Sequence, residues 1–549
     1  MDKPELKKGG MPAYGAPLKD EMGEVPKSEM GGFPGMGGPG GPGGMPGGPG
    51  GPGGMPGGPG GPEGMGGPGG MPGGPGGPGG MPGGPGGPEG MGGPGGMPGG
   101  PGGPGGPGGP GGNTDPDDDP QYPRSFKMIP TYVVEDNKLT SYPTDHQLWG
   151  TIGDESADGI KFKTDAKFIN GLVIKGNSRY TLSDSYFKLD GQGVNDFSGI
   201  GSAVMVDDSA VLNVENCTIE TNGVIRPCIT CSGTAELHVK NSRLYGNSGP
   251  LPEYYDPSDP IKGPGMIEPP AGLFLGGTCR TTLSLGTTKA YYEDCVIDAD
   301  SWAALSTDNG RDLFLQADRC EVIVRRVGYG VYADGGCNVI LNDCKFRTAT
   351  HNAILAGDFT AKFNGCDMWA GKYNFMCHDL SGGASGAAPI EVRNTTCVAG
   401  LSCLFVKSHN IHADLEKAKL SADGPIIHAI YNDDPDASHF EGPKDVYGIK
   451  IYASDSELCG DVVNDDFQRD LALWMDGGTL KGAVQYAYLK LFNGASWYAS
   501  ADSVCALVDF ADVTQIDAPS GVTIWAVAAQ GTDLSGEYAL SSGGRLVFA

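Results

Sequence analysis

The sequence predicts an all-β solenoid, a parallel β-helix, preceded by a disordered Gly/Pro/Met-rich segment. A phrase of turn residue, Cys, any residue and aliphatic residue keeps returning. It reads Asp294-Cys295-Val296-Ile297, Arg319-Cys320-Glu321-Val322, Asp343-Cys344-Lys345-Phe346, Gly365-Cys366-Asp367-Met368 and Thr396-Cys397-Val398. The intervals between these cysteines are 25, 24, 22 and 31 residues. A fixed period of this size marks stacked coils, none of which buries its apolar face alone. Each period also holds two or three runs of period-two alternation, such as Ala210-Val211-Leu212-Asn213-Val214 and Val339-Ile340-Leu341-Asn342, set apart by Gly, Asn and Asp. That alternation belongs to strands. A leucine-rich repeat fits Leu212-x-Val214-x-x-Cys217-x-Ile219, but the rest of each period offers no helix.

Residues 1–112 come first. From Gly31 to Gly112 the chain is almost only Gly, Pro and Met, and Gly61-Pro62-Glu63-Gly64-Met65 returns at Gly87-Pro88-Glu89-Gly90-Met91. The Gly-x-y phase slips at each Met-Pro-Gly-Gly, which a collagen triple helix does not tolerate. With nothing to bury, the segment reads as a flexible, partly polyproline-II tether. Residues 113–165 form a lead-in and N-terminal cap after the acidic Asp115-Pro116-Asp117-Asp118-Asp119-Pro120. Coils occupy 166–480, interrupted by a Pro-rich excursion from Gly249 to Ala271 that is long enough to wall a groove. Residues 481–549 read as strands closing the open end, which otherwise exposes a bare sheet edge.

Acidic residues outnumber basic ones, 66 to 38, for a net charge of −28. No basic stripe offers itself to phosphate, so nucleic acid is not an expected partner. The longest apolar stretches, such as Val522 to Ala529, are too short to insert into a membrane. No apolar run follows the cationic residues at the start, and fourteen cysteines without an export signal read as reduced thiols. The expected location is the cytoplasm, with export by a non-classical route or by a signal missing from this sequence as the alternatives. A cysteine at the same point of successive coils points inward as a small hydrophobe. Only Cys228-x-x-Cys231 has a metal-pair spacing, and no second pair answers it.

The coil pattern with its Asn/Asp-Cys-x-Ile phrases resembles the right-handed parallel β-helices of the pectin-lyase-like superfamily, which includes polysaccharide lyases, polygalacturonases and adhesin-like proteins. The likeness covers roughly 166–549. Asn493-Gly494-Ala495-Ser496-Trp497 with Asp502-Ser503 is similar to the ends of adhesin-like members. Ser306-Thr307-Asp308-Asn309-Gly310 resembles the Asn-Thr-Asp-Gly phrase of polygalacturonases, in which Asp308 matches a catalytic Asp. Their Asp-Asp pair has only Asp334 here, before Gly335-Gly336. Their Gly-His-Gly is replaced by His351-Asn352-Ala353, and their Arg-x-Lys is missing. For the Arg-centred site of pectate lyases, Arg325-Arg326 and Lys407 are the available bases.

Aligning coils by their cysteines places Leu305-Ser306-Thr307-Asp308, Val331-Tyr332-Ala333-Asp334, Leu355-Ala356-Gly357-Asp358 and Met376-Cys377-His378-Asp379 at one point of four consecutive coils. Val406-Lys407-Ser408-His409 and Ile427-His428-Ala429-Ile430 follow, and six of the eight histidines lie between 351 and 440. Carboxylates on adjacent coils would stand roughly 5 Å apart and on alternate coils roughly 9–10 Å, near the two glycosidase spacings. Repulsion along such a row raises one carboxylate's pKa and makes an acid beside a base. Ca²⁺ held by Asp334, Asp358 and Asp379 would relieve the same repulsion. Against this, Asp is a common turn residue whose carboxylate satisfies backbone donors.

The expected function is acid–base chemistry (lyase, hydrolase or isomerase) on a carbohydrate or another polyhydroxylated or acidic molecule. Asp308, Asp334, Asp358 and Asp379 are the candidate acids, bases or Ca²⁺ ligands. His378, Lys407 and His428 are the candidate proton carriers or anion binders. The alternative is a non-catalytic adhesin-like or scaffold β-helix. The sequence does not set the oligomeric state.

Overall fold

The computed structural model describes residues 129–141, 149–193, 198–252, 269, 271–310, 312–333, 335–378, 387–432, 448–466 and 468–548. The Gly/Pro/Met segment 1–112, expected to be a disordered tether, lies outside them, as do Asp334 and Asp379. From Lys161 onward the chain is a parallel β-helix. Most coils contribute three strands, as in Gly328–Ala333, Cys337–Asn342 and Lys345–Thr348, followed by His351–Ala356, Thr360–Asn364 and Asp367–Ala370. Each strand pairs in parallel with its equivalents one coil before and after. The strand that follows the cysteine corner belongs to one fourteen-stranded sheet, and the other two faces are joined into one of thirty-one strands.

Register accounts for the alternation. Leu212, Leu237, Ala290, Leu315, Val339, Ala361, Ile390, Ala413, Ile451 and Leu473 stand opposite one another in successive coils. All are buried, while their chain neighbours face outward. Because the side-chain period is two, a one-residue slip would turn this whole row to solvent, which fixes the register.

Among the described residues, antiparallel pairing occurs only toward the two ends. Ile129–Glu135 pairs with Lys138–Ser141 and Thr151–Ile152 with Ser156–Asp158 at one end, and Glu537–Ala539 with Arg545–Phe548 at the other. Between them the parallel ladder runs without a break across residue 481. Val484–Phe492 pairs with Leu471–Asp476 before it and with Ser503–Leu507 after it.

The cysteine phrase is a corner. The residue before each Cys takes the left-handed conformation: Asn216, Asp294, Arg319 and Asp343 have φ of 56°, 54°, 52° and 53°, and Gly365 has 66°. Asp184, Asn241, Asn394 and Asp455 do the same before Ser185, Ser242, Thr395 and Ser456. Asn, Asp and Gly recur there because they enter this region most cheaply. The next residue turns inward and donates to the carbonyl two residues back. Ser242 Oγ reaches Lys240 O at 2.8 Å, and the thiols of Cys217 and Cys295 reach Glu215 O and Glu293 O at 3.2 Å each.

One assignment changes. Cys397 stands opposite Met368, and Thr395 fills the corner opposite Cys366, accepting its amide at 3.1 Å. The coil is therefore 29 residues long, not 31. The cysteines are buried, as expected, except Cys459, and none is in a disulfide. No helix among the described residues is long and apolar enough to cross a membrane.

Candidate functional site

Of the sequence-predicted groups, Asp308, His378, Lys407 and His428 fall on one face of the solenoid, carried by strands Trp302–Gly310, Gly328–Ala333, His351–Ala356, Tyr373–His378, Ser402–Lys407 and Ile427–Ile430. Inward positions fill the main core. The outward residues Trp302, Tyr329, Tyr332, Ile354, Ala356, Met376 and Phe405 form a second apolar cluster with Leu273, from the end of the Pro-rich excursion. Around these residues the face is covered, and His351, His378 and Lys407 on it are buried.

Of the expected row of four carboxylates, Asp308 and Asp358 lie among the described residues, and Asp358 does not stand in it. Asp308 ends its strand in an ion pair with Arg280, Oδ2 to Nη1 at 2.8 Å, and Arg280 lies over the Trp302 ring at 4.8 Å. Val331 stands opposite Ala353, two residues earlier than the cysteine alignment assumes. Ala356, not Asp358, occupies the row, opposite His378. Asp358 lies past the strand end, beyond Gly357 at φ 64°. The coil from Cys344 to Cys366 is short, and its deficit falls before this strand rather than after it. From Ala356 the row continues as His378, Lys407, Ile430 and Asp465.

His378 and Lys407 are thus neighbours across one coil step, both 1% exposed. The Lys407 ammonium donates to Gly272 O at 2.9 Å and sits 4.4 Å from the centroid of the Phe274 ring. Neither ring nitrogen of His378 has a hydrogen-bond partner. Burial pushes its pKa well below the usual imidazole value, and the positive charge of Lys407 pushes it further. Both effects disfavour the protonated imidazole, so His378 takes up a proton only where a ligand's negative charge offsets them.

His351 escaped the sequence reading as a candidate. It stands opposite Tyr329 and Tyr373, its ring is 5.2 Å from that of Tyr373, and it is fully buried. Neither of its nitrogens has a partner within hydrogen-bond geometry. Burial, then Lys372, brings its pKa down to about 3, partly opposed by the Gly328 backbone. Tyr373 stacks on Phe405 at 4.5 Å, and Phe405 leads to His428, 5.8 Å away. His428 is one row over from Lys407 and only half-buried, with Nε2 3.1 Å from Asp465. His409 places its two nitrogens 2.8 and 2.9 Å from Asn410 O and Gly357 O.

The structure thus brings together His378 and Lys407, with His428 at the margin, and adds His351 and His409. It leaves Asp308 in an ion pair at the first of these strands. Among the described residues, no group of three or more His, Cys, Asp or Glu is placed to hold a metal ion. The expected Ca²⁺ ligands Asp334 and Asp379 lie outside those residues. The His density between 351 and 440 was the sequence signal for this cluster; that His351 faces outward follows only from register.

No protein-family model, curated protein or solved structure matches the chain.

Proposed function

We propose that the chain is a β-helix enzyme that performs acid–base chemistry, as a lyase, hydrolase or isomerase, on a carbohydrate or another polyhydroxylated or acidic molecule. His378 is the proton acceptor, and Lys407 is the cation that holds or stabilises negative charge. One observation carries the reading: His351 and His378 are buried with four ring nitrogens lacking partners. An unsatisfied buried polar atom is destabilising by about 1–3 kcal/mol, so a purely structural face would favour apolar side chains here. A ligand whose hydroxyl or acidic groups meet these nitrogens supplies what the protein leaves unmade. The architectural likeness to the pectin-lyase-like superfamily supports the substrate class but lends no residue, since its polygalacturonase motif is incomplete around Asp308.

The test offers purified protein a panel of neutral and acidic glycans and small polyols, with and without EDTA. Turnover of at least one member is expected. His378→Gln and Lys407→Met should lower kcat by about 10²–10⁴-fold with unaltered circular dichroism. A folded wild type that turns over and binds nothing in the panel would remove the proposal's support. The second reading, a non-catalytic scaffold, is favoured by the ion pair of Asp308 and the grip of Lys407 on Gly272, because both charges are already met by protein groups. Under it, neither substitution changes the handling of any ligand.

A further inference from the structure

We propose that Leu273 to Gly277 is a strap that opens and closes over the histidine face, with Lys407 as its latch. The inference rests on reading that face as a ligand site and concerns how a ligand reaches it. As the chain stands, His351 and His378 are closed off: they are 0% and 1% exposed. Something must move for any molecule to meet their nitrogens.

Three features single out this segment. Its attachment is concentrated. Leu273 is buried against the outward cluster that includes Ala356 and Met376, and Gly272 O takes the Lys407 ammonium across 135 residues of chain. Lys407 stands next to His378 in its row, so the bond to Gly272 lies one coil step from the buried imidazole. Its conformation is strained. Phe274 has φ 56°, where a bulky side chain is disfavoured, and the residue is 44% exposed although its ring lies against the Lys407 ammonium. Its far end is a hinge. Gly276 O accepts the amide of Trp302, and Gly277 has φ 108° at a place where a Cβ would meet Ser301 Oγ at 2.4 Å. Strained backbone that adjoins two glycines and is held by a charge-assisted hydrogen bond at one end and a backbone bond to Trp302 at the other belongs to the low-stability end of a fold, from which movable covers are drawn. Residues 271–277 carry no titratable side chain, so Lys407 supplies the charge in the contact.

Hydrogen exchange and diethyl pyrocarbonate labelling, both read by mass spectrometry on the full chain without substrate, test this. In the wild type, amides of 273–275 should exchange faster than those of strand His351–Ala356, through local opening. His378 should react slowly but measurably, against the exposed His238 and His412 as references. In Lys407→Met, strap exchange and His378 labelling should rise together by about tenfold or more, as expected on losing a hydrogen bond to a charged group. The strands should stay protected. Strap amides that exchange only as slowly as the strand amides in the wild type would overturn the proposal, whatever the variant does. So would a folded Lys407→Met protein with unchanged labelling. Because no substrate is used, a strap that opens in a protein without turnover counts against the enzyme reading alone. A strap that stays shut in an active enzyme counts against the latch alone.

Discussion

The cysteine corner and the histidine face are both stacks in which one position recurs coil after coil, yet they treat buried polar atoms in opposite ways. At the corner, Ser242 Oγ accepts the Cys217 amide at 3.0 Å and donates to Lys240 O at 2.8 Å. Ser456 does the same between Ala418 and Ser454, at 3.0 and 2.9 Å. On the histidine face, the four ring nitrogens of His351 and His378 have no partner. The corner residues are interchangeable because each only has to turn the chain and close two hydrogen bonds. The face residues change from coil to coil, from Ala356 to His378 to Lys407. Regular satisfaction marks scaffold, and unsatisfied departure from the repeat marks the place to look for chemistry.

Asp308 is where that contrast can be broken most sharply, because it lies on the histidine face yet is satisfied. Asp308→Asn removes the charge opposite Arg280, which is only 4% exposed against 19% for Asp308. Breaking such a pair should destabilise by about 2–3 kcal/mol, read as a lower urea midpoint at constant m. A carboxylate that merely caps a turn would give about 1 kcal/mol or less. A small loss would therefore place Asp308 with the corner residues, as a turn cap whose pair with Arg280 carries little.

The second test uses pH. The folded pKa of His351 lies near 3, below the roughly 6.5 of an unfolded chain. The unfolded state therefore takes up a proton first as pH falls. The stability from keeping His351 neutral is fully present above pH 6.5 and is lost progressively below it, by about 2 kcal/mol at pH 5. His378 shifts in the same direction. Wild type and His351→Phe should be unfolded in urea at pH 7.5 and pH 5. The variant should lose about 2 kcal/mol less between the two, the carboxylate contributions cancelling in the difference. Equal losses would mean that His351 is reached by solvent or paired.

The solenoid was legible because its corner needs a left-handed residue and then a small donor, a requirement that Asn216-Cys217 and Asp343-Cys344 display openly. Asp358 was misplaced because intervals between cysteines do not say where in a coil residues are gained or lost. Before His351–Ala356 the coil is shorter by two, which moves Ala356 into the row and Asp358 out of it. Cys397 misled in the same way: it is an inward strand residue opposite Met368, two places after the true corner at Thr395. His378 and Lys407 were found by their density among titratable groups. The cover over them could not be read, since Gly272 meets Lys407 only through the fold.

The smallest expected effect sharpens the corner side of the comparison. Cys344 is 1% exposed, and its thiol lies 3.4 Å from Asn342 O and 3.3 Å from Ala317 O. If the corner needs only a small apolar filler, Cys344→Ala should be tolerated at least as well as Cys344→Ser, because alanine leaves no hydroxyl to satisfy. If it needs a donor, serine should be the better replacement. Its hydroxyl can make the bond that Ser242 and Ser456 make in the same row, and this offsets the loss of the larger sulfur's packing. The hydrogen-bonded corner predicts a change within about 1 kcal/mol for Cys344→Ser and a larger loss for Cys344→Ala, which leaves a cavity and removes the donor. Thermal midpoints of the two variants decide it. If alanine ranks above serine, packing alone holds the corner and its hydrogen bonds are incidental.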